Sequence, residues 1–424
     1  MKKTLILTFL TIMFCPNLFA QKDKYSSKES DEYYKNLERI PFKPLDTEFV
    51  LGFKSEYYEI HEDRLKFEPY LLEKYFTPYQ DSITKIEVSV NKKIQSIAST
   101  AYQHSNELPD SIDNIIKKLR ESLYLKTPEY IGKVDKYNIL KYEKQDSIEA
   151  FIYESTEYEN FSEGEPGIWI GYSENNGKNW NYYYTGIVQR QPVFIKYYSQ
   201  RPLIKAKGKL EIDACLLRQR SPFTHPGPSL SYECVKDGIY IAFDISVISK
   251  DSDGDGLTDI VEDKLYLDKY NQDTDGDGIS DNLDTNPRVC YPRTEKSRVY
   301  EAILNNEIDW NNKGGVGRIL SNGNTAYNVT DSTETILIVT DDEDLMGIQP
   351  KKYRLIFMTT DEYQDKNKSY KTQLNRMYFS PLFKVDKEKD TYMLTKDFNT
   401  GGSKYLIRKT KKGWTIEVLS VWIS

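Results

Sequence analysis

The organisation of this chain is decided by two acidic stretches. The first reads Asp251-Ser252-Asp253-Gly254-Asp255-Gly256-Leu257-Thr258-Asp259-Ile260-Val261-Glu262, and the second reads Asp273-Thr274-Asp275-Gly276-Asp277-Gly278-Ile279-Ser280-Asp281-Asn282-Leu283-Asp284. Each places carboxylates at positions 1, 3, 5, 9 and 12 of a twelve-residue loop. A hard cation such as Ca²⁺ takes about six to eight oxygen ligands, and this spacing is typical of loops that supply them. The two stretches, named loop 1 and loop 2, therefore predict two calcium sites.

The predicted ligands follow from position in the loop. Positions 1, 3 and 5 supply carboxylates, position 7 its backbone carbonyl, position 9 a contact through water, and position 12 a carboxylate able to bind with both oxygens. The predicted ligands are Asp251, Asp253, Asp255, Leu257, Asp259 and Glu262 in loop 1, and Asp273, Asp275, Asp277, Ile279, Asp281 and Asp284 in loop 2. Glycine at position 6 permits the sharp turn. Because Asp is one methylene shorter than Glu, we expect the second site to be weaker or more irregular.

The negative charge of the chain is concentrated in these loops. Residues 251–284 contain eleven Asp and one Glu against Lys264 and Lys269, a formal charge of −10, whereas the whole chain of 424 residues carries −7. The remainder has no basic stripe dense enough to bind nucleic acid. A solvated acidic linker is the alternative interpretation of one such loop. Two full copies favour cation binding instead, and packing so much like charge together is unfavourable without a cation.

The pattern from Asp251 to about Pro287 resembles the thrombospondin type 3 repeat, in the form seen in many bacterial secreted proteins. The apolar residue falls at position 7, not at the position 8 usual in EF-hands, and Gly238–Ser249 alternates like a strand where an EF-hand has a helix. Asp284-Thr285-Asn286-Pro287 is similar to that family's repeat ending. This chain has no cysteine inside the repeats, unlike the family's animal members. The resemblance implies a rigid connector between domains that is ordered by calcium.

The first residues predict export. Met1-Lys2-Lys3 followed by the apolar stretch 4–14 and by Ala20 is typical of a secretory signal peptide that is cleaved near Ala20. We expect a secreted, periplasmic or cell-surface protein without a transmembrane segment, since no later run reaches about 18 apolar residues. An oxidising compartment permits a disulfide. Cys215 and Cys234 are the natural pair, with three buried thiols as the alternative, and Cys290 is left over.

The rest of the chain predicts an α+β protein: two mainly antiparallel-sheet domains joined by a calcium-binding repeat segment. Its predicted parts are a signal peptide (1–20), a flexible leader (21–40), an N-terminal α+β domain (41–249), the repeat segment (250–288) and a C-terminal α+β domain (289–424). Alternation predicts many strands, from Ile86–Val90 to a final meander over Tyr392–Trp422. A helix is predicted to begin at Asp110 and another to occupy 258–268.

Candidates for catalysis are few. Ser173-Glu174-Asn175-Asn176-Gly177-Lys178-Asn179-Trp180 resembles the Asp-box of sialidase-type propellers, with Asn in place of Asp, but a propeller needs several copies. Trp180 and Tyr182–Tyr184 suggest either a sugar-binding platform or ordinary sheet packing, and packing is favoured. The three histidines show no zinc-ligand spacing. We therefore expect a non-enzymatic calcium-binding protein that acts as a binding or structural module. Its partner would be an extracellular protein or glycan, and a secreted glycan-acting enzyme is the alternative.

Overall fold

A computed structural model of the chain describes residues 27–30, 46–63, 130–132, 134–155, 167–188, 192–196, 199, 201–219, 232–310, 316–319, 334–351, 353–367, 375–398 and 401–423. The predicted signal peptide, the strand at Ile86–Val90 and the helix beginning at Asp110 lie outside the described residues. The chain divides into two compact units between Gln272 and Asp273. We name Pro41–Gln272 the N-terminal unit and Asp273–Ser424 the C-terminal unit. This division falls between loop 1 and loop 2, and the separate repeat segment at 250–288 stays a prediction.

The N-terminal unit is built mainly from antiparallel strands. Its strands are β1 (Tyr58–Glu62), β2 (Tyr130–Ile131), β3 (Val134–Asp135), β4 (Ile139–Gln145), β5 (Ile148–Ser155), β6 (Gly167–Ser173), β7 (Asn181–Val188), β8 (Val193–Ile195), β9 (Ile204–Ala206), β10 (Lys209–Gln219) and β11 (Tyr232–Asp244). Its helices are α1 (Thr47–Leu51), α2 (Ile245–Ile248) and α3 (Asp259–Leu265), and Lys136–Asn138 forms a 3-10 turn.

These strands form two principal sheets. One has the order β1-β11-β10-β8, with β9 also paired to β10, and the other has the order β4-β5-β6-β7. Over residues 210–214 of β10 and 239–243 of β11, every second residue is apolar and buried, as expected for a sheet with one face on a core: Leu210, Ile212, Ala214, Ile239, Ile241 and Phe243. The N–H of Gly208, before β10, donates to the Tyr172 hydroxyl of β6 over 2.9 Å, which ties the two sheets together.

The C-terminal unit contains one mixed sheet. Its strands are β12 (Ile308–Asp309), β13 (Val316–Ile319), β14 (Glu334–Val339), β15 (Tyr353–Met358), β16 (Asn375–Phe379), β17 (Phe383–Lys384), β18 (Thr391–Phe398), β19 (Gly401–Thr410) and β20 (Gly413–Ile423). Its helices are α4 (Ser297–Leu304), α5 (Glu343–Met346) and α6 (Thr360–Asn367). The strand order is β12-β13-β20-β19-β18-β16-β14-β15, with β17 on β18.

The pairing in this sheet is antiparallel except around β14. The meander β18-β19-β20 is antiparallel, whereas β14 runs parallel to both β15 and β16. The core contains apolar residues from α4, β14, β15 and the meander, among them Val299, Ile338 and Phe357, all fully buried. The chain is thus mainly β with few helices and largely antiparallel sheets, and the predicted fold class is confirmed.

One local prediction at the entrance to loop 1 was wrong. The alternation of 238–249 predicts a strand up to the loop, but β11 ends at Asp244 and the single-turn helix α2 follows. The Asp244 carboxylate accepts the Ser246 N–H over 3.0 Å and caps this turn. Among the described residues, no helix combines the length and the apolar character that crossing a membrane requires.

Candidate metal centre

Each loop gathers three carboxylates around one point. In loop 1 an oxygen from each of Asp251, Asp253 and Asp255 lies within 4.8 Å of the others, and loop 2 does the same with Asp273, Asp275 and Asp277. Oxygens that share one Ca²⁺ sit about 2.3–2.6 Å from it, so they can be at most about 5 Å apart. The residues at positions 1, 3 and 5 therefore fit a common cation in both loops. Their all-oxygen chemistry suits a hard metal.

The carboxylate at position 1 shapes the turn. Asp251 accepts the N–H groups of Gly254 (2.7 Å) and Gly256 (3.1 Å). Asp273 accepts the corresponding N–H groups of Gly276 (2.9 Å) and Gly278 (2.8 Å). One side chain thus folds positions 4 and 6 back onto the start of the loop, and it does so identically in both copies.

Positions 3 and 5 repeat the same arrangement on a smaller scale. In loop 1, Asp253 accepts the N–H of Asp255 (3.1 Å), and Asp255 accepts the N–H of Leu257 (2.7 Å). In loop 2, Asp275 accepts from Asp277 (3.1 Å) and Asp277 accepts from Ile279 (2.8 Å). Each bond uses Oδ1. The second oxygen of Asp253 is buried and accepts no hydrogen bond from the described residues, which leaves it available to a cation.

Glycine is required at two positions of each loop. At position 6, Gly256 and Gly278 have φ of +103° and +94°. At position 4, Gly254 and Gly276 have φ of +79° and +76°. Side chains with a Cβ rarely adopt these backbone conformations. Sequence reasoning identified position 6 and missed position 4, although both loops carry glycine there.

The acids at position 9 brace the loop. Asp259 accepts the N–H (2.8 Å) and hydroxyl (2.9 Å) of Ser252 at position 2. Asp281 accepts the N–H (3.0 Å) and hydroxyl (2.6 Å) of Thr274. Both acids are buried, and position 2 lies between the first two predicted ligands. We name this contact the position 2–9 clasp. Sequence reasoning missed it, although Ser and Thr at position 2 were its signal. A water contact from position 9 to the cation stays a prediction.

The acids at position 12 lie inside the protein. Glu262 is 0 % exposed and Asp284 is 5 % exposed. Asp284 Oδ1 accepts the N–H of Asn286 over 2.8 Å, while Oδ2 is buried and accepts no hydrogen bond from the described residues. A buried carboxylate is unfavourable unless it is compensated by a charge partner or a metal. Both side chains are therefore placed where a cation would stabilise them. Their coordination, like that of the Leu257 and Ile279 carbonyls, stays a prediction.

The electrostatics of the two loops differ. In loop 2, burial and the neighbouring acids raise the pKa of Asp275 to about 7 and that of Asp284 to about 6. In loop 1, burial alone would raise the pKa of Asp259, but hydrogen bonds from Lys250 and Ser252 outweigh it and lower the pKa. Lys250 Nζ lies 3.0 Å from Asp259 Oδ2. Loop 2 therefore contains two acids whose pKa is raised, whereas the pKa of Asp259 in loop 1 is lowered.

Loop 1 is attached to the N-terminal unit through α3. Ile260 and Leu265 are buried, and Ile260 lies against Gly186 of β7. The Tyr57 hydroxyl hydrogen-bonds to the Asp263 carboxylate, and Lys269 lies 3.3 Å from the same carboxylate. The loop closes where the Asp259 N–H donates to the Lys250 carbonyl over 2.8 Å.

Loop 2 is attached to the C-terminal unit through its last residues. Arg354 of β15 donates to the Asn282 carbonyl (2.9 Å), and the Leu355 N–H donates to the Thr285 carbonyl (2.8 Å). The Asn286 side chain donates to the Met346 carbonyl at the end of α5 over 3.0 Å. Each loop is thus integral to its own unit.

The Asp-box-like segment is a hairpin turn between β6 and β7. Ser173 Oγ accepts the Gly177 N–H over 3.1 Å, and Asn175 Oδ1 accepts the Asn179 N–H over 2.9 Å. The Trp180 ring packs edge-on against Phe151, with ring centroids 5.0 Å apart. These side chains hold the turn together, as the packing interpretation predicts.

The neighbouring aromatic residues pack on each other. Tyr182 contacts Phe151, with ring centroids 6.4 Å apart, and Tyr184 contacts Trp169, with centroids 5.4 Å apart. Tyr184 is fully buried. These contacts explain the tyrosines by sheet packing and require no sugar ligand.

The cysteines of the described residues are free thiols. Cys215 is buried, Cys234 is half-buried and Cys290 is exposed. Burial raises the pKa of the Cys215 thiol well above its ordinary value, and Cys234 is its hydrogen-bond partner. The two thiols predicted to pair are therefore neighbours, and their oxidation stays a prediction.

Comparison with known proteins gives no relative for this chain. No protein-family model, no curated protein and no solved structure with which it was compared matches it. The features that bear on function are therefore the acidic groups of the two loops, which could hold metal ions.

Proposed function

We propose that this protein binds calcium through loop 1 and loop 2, one ion in each, and that calcium orders both segments. The observation that carries the proposal is the repeated geometry: three carboxylates within 4.8 Å of one another in each loop, held by the same backbone hydrogen bonds. The buried Asp284 at position 12 of loop 2 supports it, since its Oδ2 accepts no hydrogen bond from the described residues.

Calcium fits these loops better than magnesium. Mg²⁺ demands a near-ideal octahedron, retains several waters and uses one or two carboxylates. Each loop here offers three clustered carboxylates, a position 12 acid and a position 7 carbonyl, a set that suits the larger and more flexible coordination shell of Ca²⁺. Modules of this kind outside cells bind calcium at about 10⁻⁴–10⁻³ M. Export after cleavage near Ala20, to the medium, periplasm or cell surface, belongs to the same proposal.

The role that fits best is structural or adhesive. The resemblance to thrombospondin type 3 repeats supports a calcium-ordered module that presents its domains to an extracellular protein or glycan. The alternative, a glycan-acting enzyme, depended on the Asp-box-like turn and the tyrosines, whose side chains are occupied by packing.

Calorimetric titration of the chelator-treated mature protein with CaCl₂ tests the proposal. We expect two ions per chain, with affinities of about 10⁻⁴–10⁻³ M. Asp253→Asn with Asp255→Asn should remove one ion, and Asp275→Asn with Asp277→Asn should remove the other. Asp268→Asn is the matched control, because this exposed acid lies between the loops and outside both. Absence of binding at millimolar calcium, or loss of binding in the control, contradicts the proposal.

A further inference from the structure

The outer edge of β15 needs a cover. Among the described strands, β15 ends the strand order of the C-terminal sheet and pairs only with β14. Its residues from Arg354 to Met358 are nevertheless buried. A buried edge strand has backbone N–H and C=O groups that must find partners, and an uncovered edge is a template for pairing with another chain.

The cover is the segment that leaves loop 2. The Leu355 N–H donates to the Thr285 carbonyl over 2.8 Å, and Arg288 Nη1 donates to the Phe357 carbonyl over 2.6 Å. Leu355 and Phe357 are two residues apart, as expected for groups that face the same edge of a strand. We name residues 285–288 the edge cover.

The edge cover starts at the last predicted ligand of loop 2. Asp284 directly precedes Thr285, and its Oδ1 holds the N–H of Asn286 over 2.8 Å. Asn286 Nδ2 in turn donates to the carbonyls of Val289 and Met346, each over 3.0 Å. Arg288 is ion-paired with Glu362 of α6 over 2.5 Å. Asp284 is therefore linked to the cover through the N–H of Asn286.

The other carboxylate oxygen of Asp284, Oδ2, is available to a ligand. Asp284 is 5 % exposed, and its Oδ2 accepts no hydrogen bond from the described residues. The acids that act on it most strongly are Asp277 and Asp281, both in loop 2. A cation in loop 2 would be coordinated by this oxygen, whereas without a cation the same acids repel the Asp284 carboxylate.

We infer that calcium in loop 2 fixes the edge cover on β15, so that occupancy of this site controls access to the edge of the C-terminal sheet. This inference rests on the proposed function. Asp284 connects the cation site to the edge cover, because Oδ2 would coordinate the cation while Oδ1 accepts the N–H of Asn286. When calcium leaves, the repulsion on Asp284 loosens the cover, and the Leu355 N–H and Phe357 C=O are released. Loop 1 serves as an internal comparison, because its position 12 acid lies within α3 and is followed by no strand edge.

Hydrogen exchange of the full chain, with and without CaCl₂, tests the inference. In the wild type, calcium should slow exchange of the Leu355 amide about tenfold or more, while the amide of Leu337 in the sheet interior changes little. Asp275→Asn with Asp277→Asn should abolish the calcium effect at Leu355. Asp253→Asn with Asp255→Asn, in loop 1, should leave it intact.

A second variant separates the cover from the metal site. Arg288→Ala retains every predicted ligand, so calorimetry should still find two ions, but the calcium effect at Leu355 should fall at least threefold. Arg298→Ala, an exposed arginine of α4, is the control and should behave as the wild type. Two bound ions with exchange at Leu355 that is indifferent to calcium overturn this inference alone. No bound ion at all overturns the proposed function and this inference with it.

Discussion

Loop 1 and loop 2 have the same hydrogen-bond network and different exits. Loop 1 ends within α3, which packs on the N-terminal unit. Loop 2 ends in a single turn, closed by the Asp284 N–H on the Ser280 carbonyl over 3.0 Å, and the chain then covers the edge of β15. If the proposed cations bind, the acidic pattern forms the two sites, whereas the residues around and after position 12 determine which part of the protein each cation stabilises.

The loops also differ in how their acidity is relieved. The residue before loop 1 is Lys250, whose amine lies 3.0 Å from Asp259, and the residue before loop 2 is the neutral Gln272. The pKa of Asp259 is lowered, while those of Asp275 and Asp284 are raised. The Lys250 amine thus compensates part of the negative charge of loop 1. We therefore expect loop 2 to depend more on the proposed cation.

The largest expected effect is that of removing calcium. A ligand at about 100 times its Kd stabilises the folded state by about 2.7 kcal/mol for each site, so chelation should lower the melting temperature of both units. Because loop 2 has no lysine in the position that Lys250 occupies before loop 1, we expect the melting temperature of the C-terminal unit to fall further. Calorimetric melting of the wild type and of the two double Asp→Asn variants checks this, with Asp268→Asn as the control. Equal losses in both units would break the comparison.

The second effect is a pH dependence confined to loop 2. In the folded, metal-free protein, burial and the neighbouring acids raise the pKa of Asp275 to about 7 and that of Asp284 to about 6, above the ordinary value for Asp. Folding without calcium therefore becomes more favourable as the pH falls from 8 through these values. Calcium binds the ionised acids, so its affinity for loop 2 should fall about tenfold between pH 8 and pH 6.

Single-loop proteins measure this pH effect directly. The double variant that disables loop 1 reports on loop 2, and the converse variant reports on loop 1. Calcium titrations of each variant at pH 8 and pH 6 should show that the calcium affinity of loop 2 falls with pH and that the affinity of loop 1 falls much less. A fall of the same size in loop 1 would show that the difference between their acids is not what controls calcium affinity.

The sequence was sufficient for features whose causes are local. The spacing of the acids and the glycine at position 6 predicted the loops, because a carboxylate at every second position needs a sharply turned backbone. The β19–β20 pair was predicted from apolar residues at every second position, Tyr405 and Ile407 in one strand and Trp414 and Ile416 in the other. Such alternation is a property of the strand itself. The helix at 258–268 was also recognised, as α3.

Features that depend on distant residues were beyond the sequence. The edge cover joins Thr285 to Leu355, seventy positions further along the chain, and the sequence of neither segment predicts this contact. The one-turn helix α2 was read as strand because four residues are too few to show a helical period, although Asp244 marked its cap. The position 2–9 clasp had a signal, Ser252 and Thr274, whose partners only the folded loop revealed.

The smallest effect concerns this clasp, and it tests the comparison most finely. Ser252→Ala and Thr274→Val each remove the hydroxyl donor and leave the N–H in place, which should weaken calcium binding in that loop by about 1 kcal/mol, or about fivefold, with two ions still bound. Since Asp259 also has Lys250 as a partner, Ser252→Ala should weaken calcium binding less than Thr274→Val does. Adding Lys250→Met should make loop 1 as sensitive as loop 2 in calorimetric titrations. If Ser252→Ala costs the same with and without Lys250, the amine does not reinforce the clasp, and the difference between the loops must come from their exits.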